Sequence, residues 1–180
     1  MNDRKELFKD IKKIVVKIGT SSLITKDGKF NREFANDIAR EVSKLKSKGK
    51  DVILVSSGAV GIGCEILDFK ERPQSIPLKQ ATAAVGQSLL MHEWSNVFEK
   101  HGLKVAQILL TYDAFSDRKT YLNLRNSMSS LLELGVIPII NENDPVCVHE
   151  IGETFGDNDT LSAMVSSKVE ADLLILMTDI

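Results

Sequence analysis

A chain of 180 residues with 23 basic and 25 acidic side chains has a formal net charge of -2, which gives no electrostatic basis for nucleic-acid binding. With 43% hydrophobic and 27% charged residues it reads as an ordinary soluble domain, or a large part of one, with enough apolar material for a substantial core. No stretch approaches the roughly 20 apolar residues of a membrane span, and the charged segment Met1 to Lys13 lacks a signal-peptide core. Cys64 and Cys147 lie far apart without metal-ligand spacing, and His92, His101 and His149 form no cluster. The expected setting is therefore the cytoplasm, with reduced thiols and no protein-held metal.

The first element, Ile14-Val15-Val16-Lys17-Ile18, is a continuous apolar run that reads as a strand buried on both faces, yet it carries a lysine. Burying an uncompensated ammonium is costly, so either Lys17 has an anionic partner or its stem is buried and its head reaches solvent. The turn that follows, Gly19-Thr20-Ser21-Ser22, offers backbone N–H groups and hydroxyls suited to a phosphate. Thr25 to Lys29 is a polar turn, and Asn31 is the expected N-cap of a helix with Phe34, Ile38, Val42 and Leu45 on one face, ending at Gly49. The lysines at 44, 46, 48 and 50 suit the C-terminal end of that helix.

The same grammar then recurs. Val52 to Val55 is a buried strand running into Ser56-Ser57-Gly58-Ala59, with a helical segment from about Gly61 to Leu67. Past Pro73 and Pro77, a long helix is expected from Leu78 towards Lys100, with Ala81, Val85, Leu89, Trp94 and Phe98 among its apolar positions and Met91, Trp94 and Phe98 read as core. Val105 to Leu110 is the third strand. Asp113, Asp117 and Arg118 lead to a helix carrying Leu124, Met128, Leu131 and Leu132, stopped at Gly135. Val136 to Ile140 is the fourth strand, in which Pro138 should lie where one N–H is not needed or at a local irregularity.

A long polar loop, Asn141 to Asp159, precedes a helix from Thr160 to Val169 and a fifth buried strand, Leu173 to Met177. Strands alternating with helices imply an α/β fold with a mainly parallel sheet covered on both faces. A buried strand close to Ile180 with no helix after it suggests the first part of a larger domain. Ligands of such sheets bind at the carboxyl ends of the strands. There this chain places Lys17 with Gly19, Thr20 and Ser21; Ser56-Ser57-Gly58; Asn141-Glu142-Asn143-Asp144; and Thr178-Asp179. Gly156-Asp157-Asn158-Asp159 joins them; one of its aspartates can be a helix cap, but the set exceeds what a turn requires. Such donors and acceptors suit a small zwitterion carrying both an amino and a carboxylate group.

The ordered motifs Val16-Lys17-Ile18-Gly19-Thr20-Ser21, Val55-Ser56-Ser57-Gly58-Ala59, Ala83-Ala84-Val85-Gly86-Gln87, Ile140-Asn141-Glu142-Asn143-Asp144, Phe155-Gly156-Asp157-Asn158-Asp159 and Leu176-Met177-Thr178-Asp179 resemble those of the glutamate 5-kinases, in the amino acid kinase family. The resemblance runs from about Ile14 to the last residue. It implies a three-layer sandwich of which residues 1–180 are the N-terminal, acceptor-binding portion, with much of the nucleotide pocket and a second lysine located in later sequence. It further implies ATP-dependent phosphorylation of the L-glutamate 5-carboxylate, the first step of proline synthesis, with Mg²⁺ and a homo-oligomeric protein. Lys17 would contact the transferring phosphoryl group and Asp159 would orient it. Ser57, Gly58, Asp144 and Asn158 would bind glutamate, and Gly19, Thr20, Ser21, Thr178 and Asp179 would lie at the nucleotide.

Other readings stay open from sequence: a sibling kinase acting on aspartate, acetylglutamate, carbamate or a nucleotide, or a non-catalytic glutamate-binding fragment. A dinucleotide oxidoreductase is disfavoured, because no Gly-x-Gly-x-x-Gly follows the first strand.

Overall fold

A computed structural model describes residues 8–147 and 158–177. Its elements are β1 (Lys13–Ile18), α1 (Thr20–Leu23), α2 (Arg32–Ser47), β2 (Asp51–Ser56), α3 (Ala59–Ile66), α4 (Ile76–Glu99), β3 (Val105–Leu110), α5 (Arg118–Glu133), β4 (Ile137–Glu142), α6 (Asn158–Lys168) and β5 (Leu173–Met177). Single 3₁₀ turns at Tyr112–Phe115 and Asp144–Val146 follow β3 and β4. The strands pair in parallel in the order β3-β4-β2-β1-β5, as the alternating strands and helices predicted.

Successive strand residues face opposite sides, and this sorts the core into two layers. Ile14, Val16, Ile18, Val52, Leu54, Ile137 and Ile139 pack with α1 to α4 on one face. Val15, Ile53, Val55 and Ile140 pack on the other with Met128 of α5 and Leu161 and Val165 of α6. This alternation fixes the polar residues too. Lys17 follows Val15 at a spacing of two, so it emerges on the α6 side, whereas Ser56 follows Leu54 and emerges beneath α4.

The helices start where local chemistry says they should. The Asn31 side chain accepts from Phe34 N–H, and the Asp117 carboxylate accepts from Thr120 N–H at 2.7 Å. Several expectations need correction. The turn after β1 contains a helical turn, α1. Phe34, Ile38, Val42 and Leu45 of α2 do pack on the core as one face, with Ala35 and Ala39 buried deepest beside Val42. Ala81 is exposed; the buried stripe of α4 runs through Thr82, Ala83, Gly86, Leu90, Glu93, Trp94, Val97 and Phe98. Glu93 is compensated by Arg32, whose Nε lies 2.7 Å from Oε2, and this contact raises the Arg32 pKa.

Pro138 sits inside the sheet. Ile137 N–H points to β3, where it donates to Lys104 O at 2.8 Å, so the missing N–H of Pro138 would have faced β2. The β2–β4 register accordingly begins only at Leu54 opposite Ile139, the residue after the proline, so the irregularity is a shortened ladder on that side. β5, expected to be buried, pairs among the described residues with β1 alone, and its Ile175 and Leu176 side chains are exposed.

Glycines let α3 and α4 touch backbone to backbone. A Cβ on Gly63 would lie 2.0 Å from Thr82 O, and one on Gly86 would lie 1.9 Å from Ala59 O. Replacing Gly86 with Ala should therefore force the two helices apart and cost about 2 kcal/mol or more in denaturant unfolding, against near-neutrality if the crossing can relax.

At the opposite end of the sheet, the Asp172 carboxylate accepts from Lys12 N–H at 2.7 Å and Lys13 N–H at 2.8 Å. These amides, Lys13 first, hold its pKa below the ordinary carboxylate range. A depressed folded-state pKa contributes stability that is complete above the unfolded value, about 3.9, and is lost as pH falls through the folded one. Asp172→Asn should accordingly make stability fall less steeply below roughly pH 4 than in the parent, measured by urea midpoints across pH. Superimposable acid limbs would show that the contact does not couple folding to this proton.

Candidate functional site

The cluster at the carboxyl ends of the strands begins with Lys17. It is 7% exposed on a central strand, and its Nζ lies 2.6 Å from Asp159 Oδ1 in the first turn of α6. The anionic partner expected for a lysine in this strand is thus present, and Asp159 serves the lysine. Asp157, the other candidate cap, lies outside the described residues. Gly19 closes tightly over the pair: a Cβ there would sit 3.1 Å from Met177 O and 3.5 Å from Lys17 Nζ. Its own N–H donates to Met177 O at 3.0 Å, so that amide extends the β1–β5 ladder and is not the phosphate donor the turn suggested.

Next to Asp159, Asn158 points in another direction, as adjacent residues on a helix must. Its Nδ2 donates to Ser57 Oγ at 2.7 Å, to Asn141 Oδ1 at 3.3 Å and to Ser56 O at 3.4 Å. One amide therefore gathers the ends of β2 and β4. Asn141 in turn donates to Gln87 Oε1 of α4 at 2.8 Å, and Ser56 Oγ accepts from Trp94 Nε1 at 3.0 Å. Gln87 falls in the quoted Ala-Ala-Val-Gly-Gln segment, but only the fold shows that it touches Asn141.

Above this network lies a cavity of about 300 Å³ lined by Ser57, Gly58, Asn141, Glu142, Asp144 and Asn158, with Thr20 on its rim. Gly58 adopts φ 107° at the start of α3, and a Cβ there would meet Ile24 Cγ1 and Cδ1 at 3.1 Å. Glycine is required both for the left-handed conformation and for the close approach. Ser21 is exposed and does not line this cavity. Thr178 and Asp179, expected at a nucleotide, lie outside the described residues.

Two features were not legible in the sequence. Cys147 Sγ donates to buried Glu142 Oε1 at 2.7 Å. Burial first, then the hydrogen bond to Glu142, pushes the Cys147 thiol up to about 12, so it remains a neutral donor at pH 7. Arg72 and Lys79, from beyond α3 and the start of α4, also line the cavity. Among the described residues no group of three or more His, Cys, Asp or Glu side chains is arranged to hold a metal, both cysteines are free, and no helix is long and apolar enough to cross a membrane.

A family model described as the amino acid kinase family matches residues 12–180. The chain belongs to the amino acid kinase family. Within it, the chain is 64% identical over 180 residues to a glutamate 5-kinase of Methanococcoides burtonii, covering 100% of this chain and 48% of the relative. It is 57% identical over 187 residues to the glutamate 5-kinase of Methanosarcina mazei, covering 100% and 49%, and 52% identical over 168 residues to that of Caldanaerobacter subterraneus, covering 93% and 45%. The chain thus spans about half the length of the curated relatives it matches. For an amino acid kinase the arrangement is chemically apt: a buried, carboxylate-held lysine at one strand end, and amide and carboxylate groups around a small cavity at the neighbouring ones.

Because Gly58 is held in a left-handed conformation against Ile24, Gly58→Ala should destabilise the fold by about 1–3 kcal/mol and perturb the cavity floor. Thermal melts of the two proteins read this directly, and an unchanged melting temperature would show that the position is unstrained.

Proposed function

We propose that the intact protein is an ATP-dependent glutamate 5-kinase that phosphorylates the side-chain carboxylate of L-glutamate, the opening step of proline synthesis. The observation that carries this reading is the juxtaposition of the Lys17–Asp159 pair with the cavity ringed by Ser57, Asp144 and Asn158. The names of the similar proteins support the same acceptor.

In this reading Ser57, Gly58, Asp144 and Asn158 hold glutamate with its 5-carboxylate turned towards Lys17. The acceptor is already ionised at neutral pH, so an oxygen of that carboxylate attacks the γ-phosphorus without a general base. The bond to the β,γ-bridging oxygen breaks and its electrons leave with ADP. Lys17 neutralises charge on the phosphoryl oxygens, and Asp159 fixes the ammonium in place. Thr20 and Ser21 lie beside the phosphates, Gly19 gives them close access to the backbone, and Thr178 and Asp179 lie at the nucleotide. A buried ammonium held by Asp159, the residue next in sequence to the cavity-lining Asn158, fits a phosphate-bearing co-substrate. Mg²⁺ bound together with ATP would supply neutralisation of phosphate charge.

Residues 1–180 are then the acceptor-binding portion of the kinase domain, and the remaining length seen in the relatives supplies most of the nucleotide pocket. The free, buried thiols of Cys64 and Cys147 fit a cytoplasmic enzyme, and the homo-oligomer is proposed from the family resemblance alone.

The test is ADP release by the intact protein with L-glutamate, combined with hydroxylamine trapping of the acyl phosphate; absence of glutamate-dependent ADP and hydroxamate would sink the reading. Lys17→Ala should lower turnover by roughly 10²- to 10³-fold while glutamate affinity, measured by calorimetry, changes little. Equal loss of both would make Lys17 a structural residue instead.

A further inference from the structure

Lys79 stands in the first turn of α4, where the positive end of the helix dipole disfavours a cation. Nothing local compensates it: that turn contains no acidic residue, and the Ser75 cap makes no side-chain hydrogen bond. Arg72, in the connection just before, is anchored by the buried Pro73 beside it. Neither cation forms a salt bridge with another described residue. Yet both line the same cavity as Glu142, Asp144 and Asn158.

The cavity is therefore polarised. Its β4 and α6 side offers two buried carboxylates, and the Asn158 Oδ1 acceptor is buried without a hydrogen-bond partner. Its α3–α4 side offers two cations without anionic partners. A buried acceptor asks for a donor such as an ammonium, and the cations ask for a carboxylate. The two sides are held in fixed relation, because Gln80 Nε2, one residue past Lys79, donates to Cys147 O at 3.1 Å on the loop that carries Asp144. A cavity with cations on one side and carboxylates with an open acceptor on the other suits a ligand that carries both charges, as an α-amino acid does, better than a lone anion.

Resting on the acceptor reading above, we infer that Lys79, with Arg72 beside it, grips the α-carboxylate of the amino-acid acceptor while Asp144 and Asn158 hold its ammonium. The side-chain carboxylate is then the only one free to face Lys17. This makes Lys79 and Arg72 specificity determinants: they select a zwitterion and decide which of the two carboxylates is phosphorylated.

The test compares L-glutamate with its α-amide, which keeps the side-chain carboxylate but lacks the α-carboxylate. In the intact protein, Lys79→Gln should raise KM for glutamate roughly 10- to 100-fold with kcat nearly unchanged, and leave the KM or inhibition constant of the α-amide within about threefold. Arg72→Gln, at an exposed position where folding is not at risk, should shift glutamate selectivity in the same direction, and Lys79→Arg should recover part of the loss. Thermal melts establish that each variant is folded. Equal effects on both compounds, or no effect of either Gln variant, would overturn the inference while the kinase reading stands. No glutamate-dependent turnover in the parent protein would remove both.

Discussion

The contact on which the rest of the site depends is the ion pair between Lys17 and Asp159. A lysine on an inner strand of a parallel sheet is tolerable only if an anion meets it before solvent is lost, and α6 must begin at the level of the end of β1 to provide one. Strand alternation sends Lys17 to the α6 face, and the side chains meet at 2.6 Å. Once Asp159 is committed there, helical geometry directs Asn158 elsewhere, onto Ser57 and Asn141. Two neighbouring residues thus join β1, β2 and β4 at their carboxyl ends. The side chain of Asp159 is about half exposed, so solvent screens the pair in part, and its value is positional more than energetic.

The opposite wall is built on close helix contact. Gly63 and Gly86 let α3 and α4 approach with no side chain between them, which brings Gln87 over Asn141 and Trp94 over Ser56. The indole is fully buried, packed edge-on against Phe30 with ring centroids 5.6 Å apart, so its N–H is a fixed donor. The polar groups at the strand ends are consequently held by rigid elements, and a small ligand meets a preformed set of donors and acceptors.

Glu142 illustrates how the cavity keeps its acidity without proton chemistry. Its partner thiol is pushed up to about 12, so Cys147 donates and does not compete as a nucleophile. Under the kinase reading proposed above, that would suit phosphoryl transfer to a carboxylate, where alignment and charge neutralisation are the needs and a general base is not. The same loop returns to α4 through Gln80, so a hydrogen bond links the acidic and basic sides of the cavity.

Much of this was legible in the sequence because the determinants are local. Continuous apolar runs marked all the strands, Asn31 marked its helix start, and lysine within an apolar run marked Lys17 as needing an anion. Clusters of glycine, serine, asparagine and aspartate after successive strands marked the edge of the sheet where a ligand binds. What sequence could not supply depends on contacts distant along the chain. That Asp159 is the carboxylate that meets Lys17 was implied by the family resemblance and not by the residues themselves, because the contact depends on where α6 docks, 142 residues later. Whether anything packs on the faces of β5, whose Ile175 and Leu176 are exposed among the described residues, is a matter of tertiary contacts that a run of apolar residues does not encode. Gly86 looks like any helical glycine until Ala59 O is found against it, and Lys79 looks like a surface lysine until the cavity is seen beside it. Periodicity and turn chemistry write the elements into the sequence; the distances between them exist only once the layers have packed.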